Sequence, residues 1–204
     1  MKLKVCGMKY QDNINDIALL QPDYLGFIFY EKSARCFETV IPEISKSIKK
    51  VGVFVDADIE EVIKTINKHN LHAVQLHGHE TPEYCKSLQS SDVEIIKVFS
   101  IKDQFNFEGL IPYERVCDYF LFDTKGQLPG GNGYTFDWNI LNNYTLTKPF
   151  FLSGGIGLNE INNINKFKES EASKYCYAID VNSKFEIEPG LKDIEKLKTF
   201  KSQL

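Results

Sequence analysis

The chain has 204 residues, of which 43% are apolar and 25% charged, with a net charge of −4 and a pI near 5.6. That length suits one domain with a sizeable core, spanning residues 1–204. The acidic balance excludes a general affinity for nucleic acid or for an acidic membrane surface, and no apolar run reaches membrane length.

Short apolar runs recur along the chain at Leu3–Cys6, Tyr24–Phe29, Val51–Val55, Ala73–Leu76, Ile95–Phe99, Tyr119–Phe122, Pro149–Leu152 and Cys176–Val181. Several are nearly continuous in Val, Ile and Phe, as expected of parallel strands covered by helices. The N-terminus enters a strand-like pattern at Lys2, which predicts no signal peptide.

Helical patterns lie between the strands. Asp12 is placed to cap a helix carrying Ile14, Ile17 and Ala18. Pro42 sits early in a second, with Ile41, Ile44 and Ile48 at helical spacing. Asp58–His69 is the clearest, with Ile59, Val62, Ile63 and Ile66 on one side. Thr81 and Pro82 form a cap and first turn ahead of Tyr84, Cys85 and Leu88. Asp103–Ile111 reads as weak and short. Asp137 caps a stretch with Trp138, Ile140 and Leu141. Asn159 opens a helix with Ile161, Ile164 and Phe167, and Asp193–Phe200 is the last.

Strand and helix thus alternate about eight times, the pattern of an α/β fold. Two architectures fit: a (β/α)8 TIM barrel and an open doubly wound sheet. The barrel is favoured, because no linker divides the chain and no strand reads as a charged edge.

In a barrel the site lies at the C-terminal ends of the strands. Those ends carry Cys6-Gly7, Asp56, Gln75 with His77, Asp123, Ser153-Gly154-Gly155, and Asp180 with Asn182 and Ser183. The period of two in the first strand turns Lys2, Lys4 and Cys6 inward, and Leu3 and Val5 toward the helices. Cys6 reads either as a base or nucleophile, or as a small buried hydrophobe. Asp123 reads as a general acid, or as a turn residue. The glycine-rich loops at Gly130, Gly131 and Gly133 and at Gly154 and Gly155 offer backbone N–H groups to an anion. Asn182 and Ser183 lie where a short phosphate-binding helix begins in many barrels. Arg35 is one of only two arginines, and its planar guanidinium suits a ligand carboxylate. His69, His72 and His79 read as surface residues, and His77 as a rim residue. Four histidines without ligand spacing argue against a catalytic metal. Five cysteines without a CxxC argue for a reducing, cytoplasmic setting.

These motifs together resemble the phosphoribosylanthranilate isomerase family of tryptophan biosynthesis. The matching pieces are Lys4-Val-Cys-Gly7, Leu25-Gly-Phe-Ile-Phe29 with Ser33-Ala-Arg35, Val51-Gly-Val-Phe-Val-Asp56 and Val74-Gln-Leu-His-Gly78 with Glu80. The series continues with Phe122-Asp-Thr-Lys125, Gly130-Gly-Asn-Gly133 with Phe136-Asp-Trp138, and Leu152-Ser-Gly-Gly-Ile156. It ends with Asp180-Val-Asn-Ser183, Glu186, Pro189, Gly190 and Lys192-Asp193. Three positions depart from the family pattern: Asn132 for a threonine, Ala34 for a proline, and Asn182 for a serine.

The resemblance implies an aldose–ketose isomerase that needs no cofactor, acting on N-(5-phosphoribosyl)anthranilate. It implies Cys6 as general base, with a pKa kept low enough to form thiolate, and Asp123 as general acid. Arg35 is implied as the anchor of the anthranilate carboxylate. Gly131, Gly133, Gly154, Gly155, Asn182 and Ser183 are implied to surround the phosphate, and Asp180 to contact the sugar hydroxyls. The expected partner is a small phosphorylated substrate, with a monomer or a homodimer both compatible. Two other readings remain: a different phosphosugar isomerase or epimerase, and a non-catalytic phosphate-ligand sensor.

Overall fold

The computed structural model describes residues 1–102, 104–124 and 135–204. Eight parallel strands close into a barrel in sequence order. They are β1 (Lys2–Val5), β2 (Tyr24–Ile28), β3 (Lys49–Phe54), β4 (Ala73–Leu76), β5 (Glu94–Ile101), β6 (Tyr119–Thr124), β7 (Phe150–Leu152) and β8 (Cys176–Val181). Closure is made by β1 against β8, in a register that sets Lys4 opposite Asp180. A small hairpin follows, β9 (Glu186–Glu188) with β10 (Leu191–Lys192), which the sequence patterns did not foretell. The open-sheet alternative is thereby excluded.

Among the described residues, five α-helices cover the barrel: α1 (Gln11–Leu19), α2 (Ile59–His69), α3 (Pro82–Leu88), α4 (Ile161–Lys168) and α5 (Ile194–Gln203). The sequence explains α2 well. Glu60 and Glu61 occupy its first turn and Lys68 and His69 its last, so both ends complement the helix dipole. Val62 and Ile66 are buried against the barrel, and Asn70 closes the helix at φ 48°, a left-handed position that asparagine tolerates. In α3 the Thr81 hydroxyl accepts from the Tyr84 N–H ahead of Pro82, as its cap signature predicts.

Some expected helices differ. No helix forms around Pro42; residues 38–45 run without regular structure into a turn. Ile41 and Ile48 are still buried there. Competing side-chain bonds explain the loss: Gln11 donates to Thr39 Oγ1 and to the Val40 carbonyl, and the Ser45 hydroxyl bonds that of Ser47. The segments after β5 and β6 form 3-10 helices, Phe107–Tyr113 and Trp138–Asn143, capped by Asn106 and Asp137. Asp12 lies inside the first turn of α1 and is not its cap, which is Tyr10. His69 is not a surface residue: it is buried, its ring 5.1 Å from that of Phe29.

The barrel interior is layered. At the N-terminal end the Tyr24 hydroxyl donates to Glu94, which Lys49 also pairs. The middle layer is apolar, built of Val51, Ala73, Ile96, Val98, Leu121, Phe151 and Ala178 around the Tyr24 ring. Polar groups return only at the C-terminal end, with Lys4, Gln75, Asp123 and Asp180 all buried. The polarity of the interior is thus concentrated where a barrel does chemistry, above an apolar floor. Among the described residues, no helix is long and apolar enough to cross a membrane.

Candidate active site

A cleft opens at the C-terminal end of the strands, enclosing about 740 Å³ counting its mouth. Cys6, Arg35, Asp123, Gly154, Gly155, Asp180, Asn182 and Ser183 all line it. The structure therefore brings together every proposed site residue that falls within the described set. Gly131 and Gly133, with Gly130 and Asn132, lie outside the described residues.

Cys6 follows directly from β1, its N–H donating to the Val181 carbonyl at 2.9 Å. The inward period of that strand places Lys4 beneath it. Lys4 Nζ pairs with Asp180 Oδ2 at 2.8 Å, and both side chains are buried. Space for the thiol comes from Gly26 in β2, where a Cβ atom would sit 2.8 Å from Cys6 Sγ.

The expected low pKa of Cys6 does not hold here. Burial pushes the thiol up, and the nearby Asp180 carboxylate adds to that; the Lys4 and Lys192 ammoniums oppose it without cancelling it. A thiol with a raised pKa is less often ionised but is a stronger base when it is.

Asp123 stands on β6, three strands from β1 in one direction around the barrel and five in the other. Its Oδ1 accepts from the Thr124 N–H at 2.9 Å, and its Oδ2 lies 3.4 Å from His77 Nε2. Gln75 Nε2 faces His77 Nδ1 at 3.4 Å in turn. The side chain is buried with both oxygens directed by neighbours, an arrangement that fixes an acid's position.

The loop after β7 passes close to the same strand. Gly154 has φ +92°, and a Cβ there would collide with the N and Oγ1 of Thr124. Glycine is required for this approach, which brings the Ser153-Gly154-Gly155 backbone beside Thr124 and its neighbour Asp123. Beyond β8, Asn182 precedes a short 3-10 helix, Ser183–Phe185, where the sequence placed a phosphate-binding turn. Asp180 Oδ1 is buried and has no hydrogen-bond partner among the described residues.

Arg35 lines the cleft, but its guanidinium is already paired. Its Nε lies 2.9 Å and its Nη2 2.7 Å from the two oxygens of Glu186. Lys192 Nζ approaches Glu186 Oε1 at 2.7 Å and Asn182 Oδ1 at 2.6 Å. The sequence matched Glu186 and Lys192 to the family pattern without giving either a role. Lys4 was placed inward by alternation, which was the available signal for it. Asp56 turns out to cap a turn, accepting from the His79 N–H. Glu80 joins buried Lys97 behind the rim and accepts from the N–H groups of Asp56 and Gly78, outside the cleft.

Comparison with known proteins bears on the fold and the family. The model of the family described as N-(5'phosphoribosyl)anthranilate (PRA) isomerase matches residues 3–203. An N-(5'-phosphoribosyl)anthranilate isomerase of Parabacteroides distasonis is 45% identical, covering 100% of this chain and 93% of its own length. The crystal structure of phosphoribosyl anthranilate isomerase from Thermotoga maritima superposes with a TM-score of 0.84 at 28% identity, covering 100% of this chain and 98% of that one. A phosphoribosyl anthranilate isomerase in complex with reduced 1-(o-carboxyphenylamino)-1-deoxyribulose 5-phosphate has a TM-score of 0.79 at 26% identity, covering 98% and 96%. With the family model matching residues 3–203, a relative 45% identical over the whole chain and a barrel that superposes on a solved member, the chain belongs to the N-(5'-phosphoribosyl)anthranilate isomerase family.

Proposed function

We propose that the cleft carries out the Amadori rearrangement of N-(5-phosphoribosyl)anthranilate to 1-(2-carboxyphenylamino)-1-deoxyribulose 5-phosphate, with Asp123 as general acid and Cys6 as general base. The observation that carries this reading is the convergence of Cys6, Asp123 and Arg35 with the Gly154–Gly155 and Asn182–Ser183 backbone in one cleft.

The chemistry follows from those groups. Asp123 gives its proton to the ribose ring oxygen, the C1–O bond breaks, and the anilino nitrogen takes up the positive charge as an iminium. That charge makes the C2 proton acidic. The Cys6 thiolate removes it, and the C2–H electron pair forms the enolamine. Loss of the enol proton and protonation at C1 give the ketone. The thiol and the carboxylate then exchange protons to restore both groups. Oxidation at C2 balances reduction at C1, so no external redox partner is consumed.

The remaining groups bind. Gly154, Gly155, Asn182 and Ser183 receive the phosphate, together with Gly131 and Gly133. Asp180, which lines the cleft, meets the sugar hydroxyls. Arg35 takes the anthranilate carboxylate. Phosphate and carboxylate lie away from the reacting carbons and supply binding energy to hold the ring between acid and base. Five free cysteines support a reducing, cytoplasmic setting for a single domain over residues 1–204.

The test is direct. Purified protein should discharge the fluorescence of N-(5-phosphoribosyl)anthranilate with saturation kinetics, and no turnover would refute the assignment.

A further inference from the structure

Arg35 and Glu186 lie 151 residues apart in sequence, and Glu186 meets Arg35 from behind the cleft wall that the arginine lines. Glu186 takes the side edge of the guanidinium, the one formed by Nε and Nη2. A guanidinium has a second fork, between Nη1 and Nη2, and Glu186 leaves it free. That end edge is a planar pair of donors matched to one carboxylate.

Glu186 is itself held independently of Arg35. Its Oε1 also accepts from Lys192 Nζ at 2.7 Å and from the Gly190 N–H at 3.0 Å. Its side chain is 5% exposed and that of Lys192 is 0%. The Lys192 backbone is clasped in both directions by the Asn13 side chain, at 2.9 and 2.8 Å. Glu186 is therefore a fixed anchor, not a loose surface carboxylate filling the arginine. Burial alone would push its carboxyl up, but the Arg35 hydrogen bonds and the Lys192 charge outweigh burial and hold it below the usual range.

Charge explains the lysine. Arg35 with Glu186 alone would present a neutral pair to an incoming carboxylate. Lys192, whose pKa burial lowers to about 8, leaves the cluster one positive charge in excess below that pH, and its bond to Asn182 ties this corner to the phosphate side of the cleft.

We propose that Glu186 is a specificity-determining positioning residue: it fixes Arg35 with its end edge toward the aryl carboxylate of the substrate, and Lys192 is the buried counter-charge that holds Glu186 in place. This rests on the reading of Arg35 as the carboxylate's anchor.

The test compares two product analogues reduced at the ketone, one bearing the 2-carboxyphenylamino group and one the plain phenylamino group. Their Kd values are measured by titration calorimetry on wild type, Glu186→Gln and Arg35→Ala. Glu186→Gln should weaken the carboxylated analogue by at least about ten-fold and shift the phenylamino analogue by less than about two-fold. Arg35→Ala should remove the wild-type preference for the carboxylate.

Equal weakening of both analogues in Glu186→Gln would overturn the inference, since the residue would then support the cleft in general. So would unchanged or tighter binding of the carboxylated analogue, because the variant leaves more positive charge in the corner. If Arg35→Ala kept the preference, the anchor reading itself would fail. Should the glutamine variant not fold, Glu186→Asp gives the same comparison: it keeps the charge, withdraws the carboxylate by one methylene, and should show the same selective loss.

Discussion

Lys4 and Asp180 form an ion pair inside the barrel, 2.8 Å from Nζ to Oδ2, directly below the cleft that Cys6 lines. The pair is the electrostatic floor of the site. Its ammonium pulls the Cys6 thiol down and its carboxylate pushes it up, while burial exceeds both. Lys4→Met would leave Asp180 buried without its counter-charge, at a cost of about 3–5 kcal/mol in stability. The sign for catalysis is also fixed. The thiolate is the proposed base, so kcat/KM should rise with pH as Cys6 loses its proton. Without the Lys4 charge that rising limb should move to higher pH. Denaturant unfolding and a pH–rate profile measure the two effects, and an unmoved limb would separate Lys4 from Cys6.

Asp123 has both oxygens directed, one by the Thr124 N–H and one toward His77. Asp123→Asn preserves the shape and removes the group proposed to give the proton. It should lower kcat by at least ~100-fold, the low end of acid–base contributions. Thermal unfolding should show a folded protein, and a kcat within a few-fold of wild type would place the acid elsewhere.

Arg35→Ala should act mainly on binding. The carboxylate it is proposed to anchor takes no part in bond making, so KM should rise strongly while kcat falls less. Steady-state kinetics distinguish the cases: an unchanged KM with a collapsed kcat would move Arg35 into the chemistry.

Gly26→Ala tests how tightly the base is seated. The added methyl would lie 2.8 Å from Cys6 Sγ and 3.1 Å from its Cα. Overpacking of this kind costs about 1–3 kcal/mol. The thiol should shift from its place, so that kcat falls while KM changes little. Normal turnover in a folded Gly26→Ala protein would show that the thiol's exact seat is unimportant.

Much of the barrel was legible because its parallel strands are buried on both faces and read as apolar runs. Alternation in β1 correctly turned Lys4 and Cys6 inward. The segment around Pro42 misled for a local reason: Ile41 and Ile48 are buried, yet Gln11 binds the Val40 carbonyl and the Ser45 hydroxyl accepts from the Ser47 N–H, which satisfies the backbone in another conformation. His69 was misread because its ring packs on Phe29, a contact between elements that helix-end polarity conceals. The Glu186–Arg35 bridge was out of reach, since nothing near either residue announces a partner 151 positions away. The raised Cys6 thiol was missed for a related reason. Motif position gives the residue its role, whereas its pKa depends on how deeply the closed barrel buries it.

The most direct measurement is the single-turnover rate of fluorescence loss from N-(5-phosphoribosyl)anthranilate on the Cys6→Ala protein. It reports the chemical step without product release. With Cys6 as the base that removes the C2 proton, the rate should fall at least ~100-fold below wild type in a protein of unchanged fold. A rate near that of wild type would contradict the account.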